Sequence, residues 1–352
     1  MTIPVEKTRT PKRRIPEAEL GFGKFFTDHL FRMDYEEGKG WHSARVEPYG
    51  PIPLDPAASV LHYGQAIFEG MKAFQQPSGM KIFRPGQHAA RFARSAARLC
   101  IPPVDEKILL EGVKTLLRTD ADWLPAGPGT SLYVRPVIFA TEPFLGVRPA
   151  KSYTLLVFLS PVGAYFSGPA RRLRIWVERE RARAARGGIG GSKAAANYVA
   201  SLLAAEEAKK NGFDQVLWLD GAVHRDLEEI GTMNVFAYFG GTLVTPALEG
   251  SILPGVTRDS VIQLARSWGI PVEERRLPLE ELAAAHRAGK LEELFGTGTA
   301  SVVAPIGEVA WDGVTMKLPE PKKQTLGERL QAEVAGIQRG ERPDQFGWLE
   351  AV

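Results

Sequence analysis

One lysine stands among small residues in the segment 187–198, which reads GGIGGSKAAANY. Lys193 follows four glycines and precedes three alanines, and the segment has no acidic residue to hold it in a surface ion pair. Small neighbours let a bulky group approach the amine. A lysine amine attacks carbonyl carbon when it is partly desolvated and its pKa falls well below the usual value of about 10.4. The segment therefore predicts a nucleophilic lysine, and the alternative is a mobile loop with a solvated lysine.

Three other segments in the second half carry residues suited to chemistry. The segment 227–234, LEEIGTMN, contains Glu228 and Glu229, which point to opposite sides of an extended chain, so that only one of them faces a site. The segments 253–258 (LPGVTR) and 295–301 (FGTGTAS) resemble phosphate sites, because backbone N–H groups and threonine hydroxyls hold phosphate. Taken singly, each of these turns is also typical of an ordinary loop. Neither matches the Walker pattern, and no GxGxxG opens a helix, which argues against nucleoside triphosphates and dinucleotides.

A nucleophilic lysine, one usable carboxylate and two phosphate-type turns are together what pyridoxal 5'-phosphate (PLP) requires. Its aldehyde needs a lysine, its pyridine nitrogen needs an acid that keeps it protonated, and its phosphate needs a nest with an arginine. The sequence therefore predicts a PLP site in the second half of the chain.

Composition narrows the class of protein. The 352 residues are 44% hydrophobic and 24% charged, with a net charge of +3, which favours two globular domains. The one basic cluster, residues 12–14, lies beside prolines and is interpreted as a flexible, solvated arm rather than a nucleic-acid site. A single cysteine and six histidines without ligand spacing predict no metal site. The first residues contain no apolar stretch of the kind that marks a secretory signal. The apolar run 152–166 is too short to span a membrane. We therefore expect a soluble, cytoplasmic protein.

Periodicity predicts an α/β fold with mixed sheets. We expect an N-terminal arm over 1–20, a small domain over 21–163, a linker over 164–173, and a large domain over 174–352 that carries the lysine. Predicted helices cover 88–100, 105–119 with Asp105 as N-cap, 198–211, 257–268 and 324–339. In the first helix Arg91, Arg94 and Arg98 fall on one face.

From Gly21 to Trp348 the chain resembles the branched-chain aminotransferases, which are class IV PLP enzymes with the D-amino-acid-transaminase fold (PLP fold type IV). Seven segments carry the resemblance in the family's order: LHYGQAIFEGMKAF, TSLYVRPVIFATEPFLGV, PVGAYF, GGSKAAANY, EIGTMN, LPGVTR and FGTGTA. The resemblance implies ping-pong transamination of leucine, isoleucine and valine with 2-oxoglutarate, giving branched-chain 2-oxo acids and glutamate.

The resemblance also implies roles for individual residues. Lys193 is the catalytic lysine that binds PLP, Tyr198 meets the phenolic oxygen and Glu229 faces the pyridine nitrogen, which leaves Glu228 pointing away. Arg91 binds the phosphate, while Arg94 and Arg98 belong to a solvated helix face. The remaining phosphate ligands are Val256, Thr257, Thr299 and, as a lesser candidate, Thr232.

For the substrate, the resemblance assigns the α-carboxylate to Tyr133, Thr299 and Ala300, and the second carboxylate of glutamate to Arg135. The walls of the side-chain pocket are Phe22, Tyr63, Phe68 and Tyr165. Val147 and Leu145 resemble a loop contributed by a partner subunit, which implies a homodimer.

The sequence departs from the family at Ala195 and Ala196, where glycines are common, and alanine fits there unless φ is positive. Two other functions share parts of the pattern. A D-amino-acid transaminase or aminodeoxychorismate lyase would share Lys193 and Glu229 but should lack the FEGMKAF and YVRP segments. A non-catalytic anion-binding descendant should have lost the lysine.

Overall fold

The computed structural model describes residues 2–163 and 171–352. The chain forms two compact units. Unit 1 comprises Met1–Tyr165, Ser192–Ala196 and Gly336–Val352, and unit 2 comprises Phe166–Gly191 and Asn197–Ala335. This division differs from the predicted domains in two segments, because Ser192–Ala196 and the C-terminal residues pack with unit 1. Among the described residues, the structure has no helix with the length and apolar character needed to cross a membrane.

Unit 1 is built on an antiparallel sheet covered by helices. The elements are β1 His29–Glu36, β2 Gly40–Pro48, α1 Ser59–Tyr63, β3 Ala66–Phe68, β4 Met71–Gln76, β5 Gly79–Phe83, α2 Pro85–Arg98, α3 Glu106–Thr119, β6 Ser131–Ala140, β7 Ser152–Val162 and the C-terminal β17 Leu349–Ala351. The strands run in the order β17-β5-β4-β6-β7-β1-β2, with β3 paired to β6. Leucine, isoleucine, valine and phenylalanine side chains of the sheet and of α2 and α3 form its core.

Unit 2 contains a mixed sheet that closes on itself. The strands are β8 Leu173–Glu178, β9 Gln215–Leu219, β10 Leu227–Ile230, β11 Met233–Phe239, β12 Thr242–Thr245, β13 Val272–Glu274, β14 Leu291–Gly298, β15 Val302–Trp311 and β16 Val314–Lys317. Six strands follow one another in a ring, β10-β9-β8-β15-β14-β11, because β10 pairs with β11 as well as with β9. Strand β8 is parallel to β9 and β15, and β12 is parallel to β13.

The helices of the second half are α4 Ala195–Val199, α5 Leu202–Lys210, α6 Val256–Ser267, α7 Leu279–Arg287 and α8 Leu326–Arg339. The single helix predicted over 198–211 is wrong, because the chain breaks between α4 and α5. The Ser201 hydroxyl donates to the Tyr198 carbonyl at 2.7 Å, and such local side-chain bonds compete with the helical ladder. The prediction that Asp105 is an N-cap is confirmed, because its carboxylate accepts from the N–H groups of Lys107 and Ile108 at the start of α3.

The basic cluster near the N-terminus is not a free arm. The Lys12 ammonium donates to the Thr27 carbonyl at 2.7 Å. The Arg14 guanidinium pairs with buried Asp28 at 3.0 Å and lies over the Trp123 ring. The prediction of a flexible, solvated segment is wrong here, because the buried Asp28 carboxylate requires donors and this segment supplies them.

Gly112 allows helix α3 to pack closely on strand β1. A Cβ atom at Gly112 would lie 2.5 Å from the ring of Phe31, which is fully buried. We expect Gly112→Ala to lower the free energy of unfolding by about 1–3 kcal/mol, since overpacking outweighs the gain of about 0.5–1 kcal/mol in helix propensity. Urea denaturation measures the change. Gly86→Ala in α2 is the matched control, because its Cβ makes only an ordinary contact; equal losses in the two variants would contradict the packing argument.

Candidate active site

The backbone of Lys193 is held by unit 1. Its N–H donates to the Ser95 hydroxyl of α2 at 2.9 Å, and its carbonyl accepts from the N–H of Phe68 at 3.0 Å. A bridge between Ile67 and Ala194 extends this contact, so the lysine segment runs beside strand β3. Lys193 is half-buried. The structure therefore does not support the alternative of a mobile loop with a solvated lysine.

Residues predicted for substrate and cofactor form a continuous set of contacts in unit 1. The Lys193 ammonium lies 4.7 Å from the centre of the Phe68 ring, and the Arg135 guanidinium lies 4.7 Å from the same ring. Arg135 donates to the Tyr133 hydroxyl at 3.0 Å. The Phe22 ring meets the Tyr133 ring edge-on, with centroids 4.9 Å apart. The structure thus brings an amine, a guanidinium, a phenol and aromatic walls together.

The Tyr133 hydroxyl is suited to donating a hydrogen bond. Burial raises the pKa of Tyr133, although the neighbouring Arg135 opposes the shift, so the phenol keeps its proton at neutral pH. Gly70 permits this position, because a Cβ there would lie 1.8 Å from the Tyr133 oxygen. The Nε atom of Arg135 is buried and makes no hydrogen bond within the described part of the chain. Both groups are therefore placed to receive a carboxylate.

The structure distinguishes the three arginines of helix α2. Arg91 is 3% exposed and pairs with the buried Glu69 carboxylate at 2.6 Å, whereas Arg94 and Arg98 are exposed. Arg91 is therefore placed as an internal cation, and the other two have the solvated positions predicted for them.

A buried lysine was missed by the sequence reasoning. Lys72 on β4 lies opposite Tyr133 on β6. Burial lowers the pKa of Lys72 to about 8. Its place within an alternating strand gave no sign of a special environment, because periodicity alone does not show which face of a central strand is covered. Lys72 is consequently the obvious comparison for any test of Lys193.

In unit 2 the carboxylate of Glu229 is buried beside a backbone donor and a buried cation. It accepts from the N–H of Leu253 at 2.8 Å and lies 3.4 Å from the Nε atom of Arg183. Arg183 is itself 8% exposed. The sequence reasoning missed Arg183, which lies among several similar arginines in residues 179–186. Glu229 is therefore a fixed internal carboxylate, as an electrostatic role requires.

Glu228 has different surroundings from Glu229. It accepts from the hydroxyl of Ser251 and lines a cavity of about 370 Å³ together with Leu227, Ser251 and Ile252. Burial raises the pKa of Glu228, while the bond from Ser251 and the charge of Arg183 oppose the rise. The two adjacent glutamates thus have separate partners, as alternation along strand β10 predicts.

The two phosphate-type turns also lie in unit 2. Helix α6 begins at Val256, and its N-cap residue is Gly255, which has no side chain to bond the first-turn N–H groups. Val256 and Thr257 are buried there. Thr299 and Ala300 lie half-buried in the turn between β14 and β15.

The remaining predicted residues occupy varied positions. Thr232 is exposed in the turn between β10 and β11, and Tyr198 is half-buried in α4. Ala195 and Ala196 open α4 without positive φ, so alanine fits where the family often has glycine. Tyr165 lies outside the described residues.

The residues found here fit PLP. Unit 1 supplies an amine, Lys193, and a buried cation, Arg91, which suit an aldehyde and a phosphate. Unit 2 contains the buried carboxylate of Glu229, which suits a pyridinium nitrogen, and the start of α6 after the N-cap glycine Gly255, which suits phosphate oxygens. Fold and residues together define a PLP-dependent enzyme.

A family model described as amino-transferase class IV matches residues 66–309, more than half of the chain. The chain belongs to this family, and the predicted fold class and cofactor are confirmed. Branched-chain-amino-acid aminotransferase 2 of Bacillus subtilis (strain 168) is 47% identical over 352 residues, covering 100% of this chain and 97% of that protein.

Solved structures show the same fold. The Escherichia coli branched-chain amino acid aminotransferase matches with a TM-score of 0.76 and 29% identity, covering 92% of this chain and 98% of that chain. The branched-chain aminotransferase of the thermophilic archaeon Thermoproteus uzoniensis, solved with norvaline, matches with a TM-score of 0.74 and 26% identity, covering 91% of this chain and 99% of that one.

Proposed function

We propose that this protein transaminates the branched-chain L-amino acids leucine, isoleucine and valine with 2-oxoglutarate, using PLP, to give branched-chain 2-oxo acids and L-glutamate. The observation that carries the proposal is the position of Lys193, whose amine lies against Phe68 next to Arg135 and Tyr133. An amine, a guanidinium and a phenol beside aromatic walls suit a substrate with an α-carboxylate and either an apolar or an acidic side chain. Two Bacillus subtilis proteins named as branched-chain aminotransferases match this chain over nearly their full length, which supports the same conclusion.

Lys193 performs two tasks in this mechanism. Its Nζ atom would hold PLP, and the same amine would take a proton from the substrate Cα and return one in the reverse half-reaction. General acid–base catalysis of this kind contributes about 10²–10⁴-fold. When bound, PLP supplies the electron sink that makes the Cα proton acidic.

Glu229 supplies the negative charge that keeps a pyridine nitrogen protonated, since an adjacent anion raises the pKa of a cationic acid. The N–H of Leu253 donates to its carboxylate, and the Arg183 guanidinium lies close by as a counter-charge. On the resemblance, Tyr198 donates to the phenolic oxygen, while Arg91 and the backbone at Val256, Thr257 and Thr299 hold the phosphate.

One pocket must accept both apolar and acidic side chains. Phe22, Phe68 and Tyr63 supply apolar walls, and Arg135 supplies a charge for the second carboxylate of 2-oxoglutarate. Tyr133 suits the α-carboxylate common to all substrates, and the resemblance assigns Thr299 and Ala300 to the same group. The aromatic faces and the guanidinium lie in contact, so either kind of side chain finds a partner.

We also propose that the protein acts as a homodimer. Exposed apolar side chains cluster where helix α1 meets the β6–β7 connection: Leu145 is 60% exposed and Val147 is 86% exposed. The Tyr63 hydroxyl donates to the Leu145 carbonyl, and the N–H of Phe144 donates to the Ala57 carbonyl, so this surface is held as one piece. A structured apolar surface of this kind favours contact with a second copy.

Replacing Lys193 tests the activity. We expect purified protein to show near-visible absorbance from bound PLP, and Lys193→Ala to abolish covalent trapping by borohydride. Turnover of leucine with 2-oxoglutarate should fall by at least about 10²-fold, since the acid–base group is lost. Lys72→Met is the control, because Lys72 is a buried lysine of unit 1 whose pKa is lowered. Trapping that persists in Lys193→Ala and disappears in Lys72→Met would show that Lys193 is not the reacting lysine.

The two adjacent glutamates give a second test. Glu229→Gln should lower kcat by about 10²-fold, a typical loss for one active-site electrostatic group. Glu228→Gln should have little effect on kcat, because Glu228 bonds Ser251 and lines a separate cavity. Steady-state kinetics with leucine measures both variants, and equal losses would refute the assignment of Glu229.

Light scattering in solution tests the dimer. We expect the native protein to have the mass of two chains, and Val147→Asp to shift the mass toward one chain, because a charge is placed in an apolar contact. Val314→Asp is the control, since Val314 is also exposed but lies on β16 of unit 2. A native mass of one chain, or an unchanged dimer in Val147→Asp, would rule out this surface as the interface.

A further inference from the structure

Glu69 is a fully buried carboxylate with no role in the proposed chemistry. It follows strand β3 directly, and its N–H donates to the Pro136 carbonyl at 2.8 Å. A buried carboxylate is costly unless it is paired and hydrogen-bonded. Its position next to Phe68, whose ring contacts Lys193, places it one residue from the active-site wall.

Glu69 uses both carboxylate oxygens within the protein. Oε1 accepts from the Nε of Arg91 at 2.6 Å, and Oε2 accepts from the Nη2 of the same guanidinium at 2.9 Å. Oε2 also accepts from the Nδ1–H of His88 at 2.8 Å and from the N–H of Gly70 at 3.0 Å. One donor meets Oε1 and three meet Oε2, so four hydrogen bonds from protein groups hold this carboxylate. Glu69 is therefore committed to these partners and acts on a ligand only through them.

The charges of this cluster are arranged to keep Glu69 ionised. Burial opposes the charge, but Arg91 and the hydrogen bond from His88 hold the pKa of Glu69 far below its ordinary value. Burial lowers the pKa of His88 below its ordinary value, although the hydrogen bond and charge of Glu69 oppose the shift, so the neutral imidazole is favoured at pH 7. The ion pair consequently consists of Glu69 and Arg91, with His88 as a neutral donor.

The paired geometry determines the direction of the guanidinium. A fork of two parallel bonds fixes its plane, because both bonds hold only in one orientation. The fork uses the Nε–Nη2 edge, so the donors on Nη1 lie outside the pair. Glu69 and Arg91 belong to the same unit as Lys193, whose backbone is joined to Phe68 and to Ser95, one turn beyond Arg91 on α2.

We propose that Glu69 is a positioning residue that orients Arg91 for the phosphate of PLP. This inference rests on the proposed function. In a purely structural role, the Glu69–Arg91 pair would join β3 to α2, and its loss would weaken binding of any cofactor form equally. In the positioning role, loss of the Glu69–Arg91 pair lowers mainly the part of the PLP affinity that comes from the phosphate.

Pyridoxal separates these two roles, because it has the ring and aldehyde of PLP without the phosphate. We would titrate the apoenzyme with PLP and with pyridoxal, following near-visible absorbance, and take the Kd for pyridoxal divided by the Kd for PLP as the phosphate contribution. Glu69→Gln should lower that ratio by about 10- to 100-fold, as expected when a charged hydrogen-bonding group loses its alignment. The Kd for pyridoxal should stay close to that of the wild type. Arg91→Met serves as the reference for loss of the phosphate contact.

Two further variants separate a loss of stability from a loss of the phosphate contribution. Glu69→Asp keeps the charge but withdraws the carboxylate by one methylene, so it should lower the ratio even if Glu69→Gln does not fold. Asp120→Asn breaks another buried pair of unit 1, His29–Asp120 at 2.6 Å, and should lower stability without changing the ratio.

The outcomes are distinct. A reduced ratio in the Glu69 variants, as in Arg91→Met, supports the inference. An unchanged ratio, with PLP and pyridoxal weakened equally, shows a structural role and overturns it. If the wild type binds neither compound, the proposed function fails and this inference fails with it; if the wild type prefers PLP strongly and the Glu69 variants keep that preference, the inference alone fails.

Discussion

The backbone contact between the lysine segment and strand β3 is the constraint on which the rest of the structure depends. Residues 192–196 leave the chain of unit 2 and join unit 1, where the Phe68 N–H and the Ser95 hydroxyl hold both backbone polar groups of Lys193. Because these two hydrogen bonds involve the main chain, they fix the position of the lysine independently of its side chain. The covalent bond that we propose for the amine would therefore form and break without disturbing the contact that positions Lys193.

Each unit also contains a buried carboxylate that depends on a nearby cation. Glu69 and Glu229 are almost completely buried, and each lies against a buried arginine, Arg91 in unit 1 and Arg183 in unit 2. Removing one member of such a pair leaves an uncompensated charge, which costs about 3–5 kcal/mol. In each unit the position of the buried carboxylate therefore follows from the need to satisfy its charge.

Local signals predicted much of the fold. Asp105 caps its helix as expected, and the strands around 132–140 and 153–159 form the longest pairing of unit 1, because alternation and capping act over a few residues. The ring closure between β10 and β11 and the return of residues 349–351 to pair with β5 were not predictable, since these pairings join segments that sequence periodicity does not relate. Ser201 broke a predicted helix because its hydroxyl competes for a backbone carbonyl, an effect that periodicity does not register.

The sequence by itself determined which residue types were available: a lysine among small residues, adjacent glutamates, Gly-Thr turns and the order of seven family-like segments. The resemblance singled out Arg91 among the three arginines on α2, but only the tertiary structure supplied its buried partner Glu69, because periodicity identifies a helix face and not what packs against it. The tertiary structure likewise decided that Glu69 and His88 are buried with Arg91, that Arg183 is buried beside Glu229, and that Lys72 is buried. These roles depend on which side chains meet across elements, and a one-dimensional pattern does not contain the burial and pairing that create them.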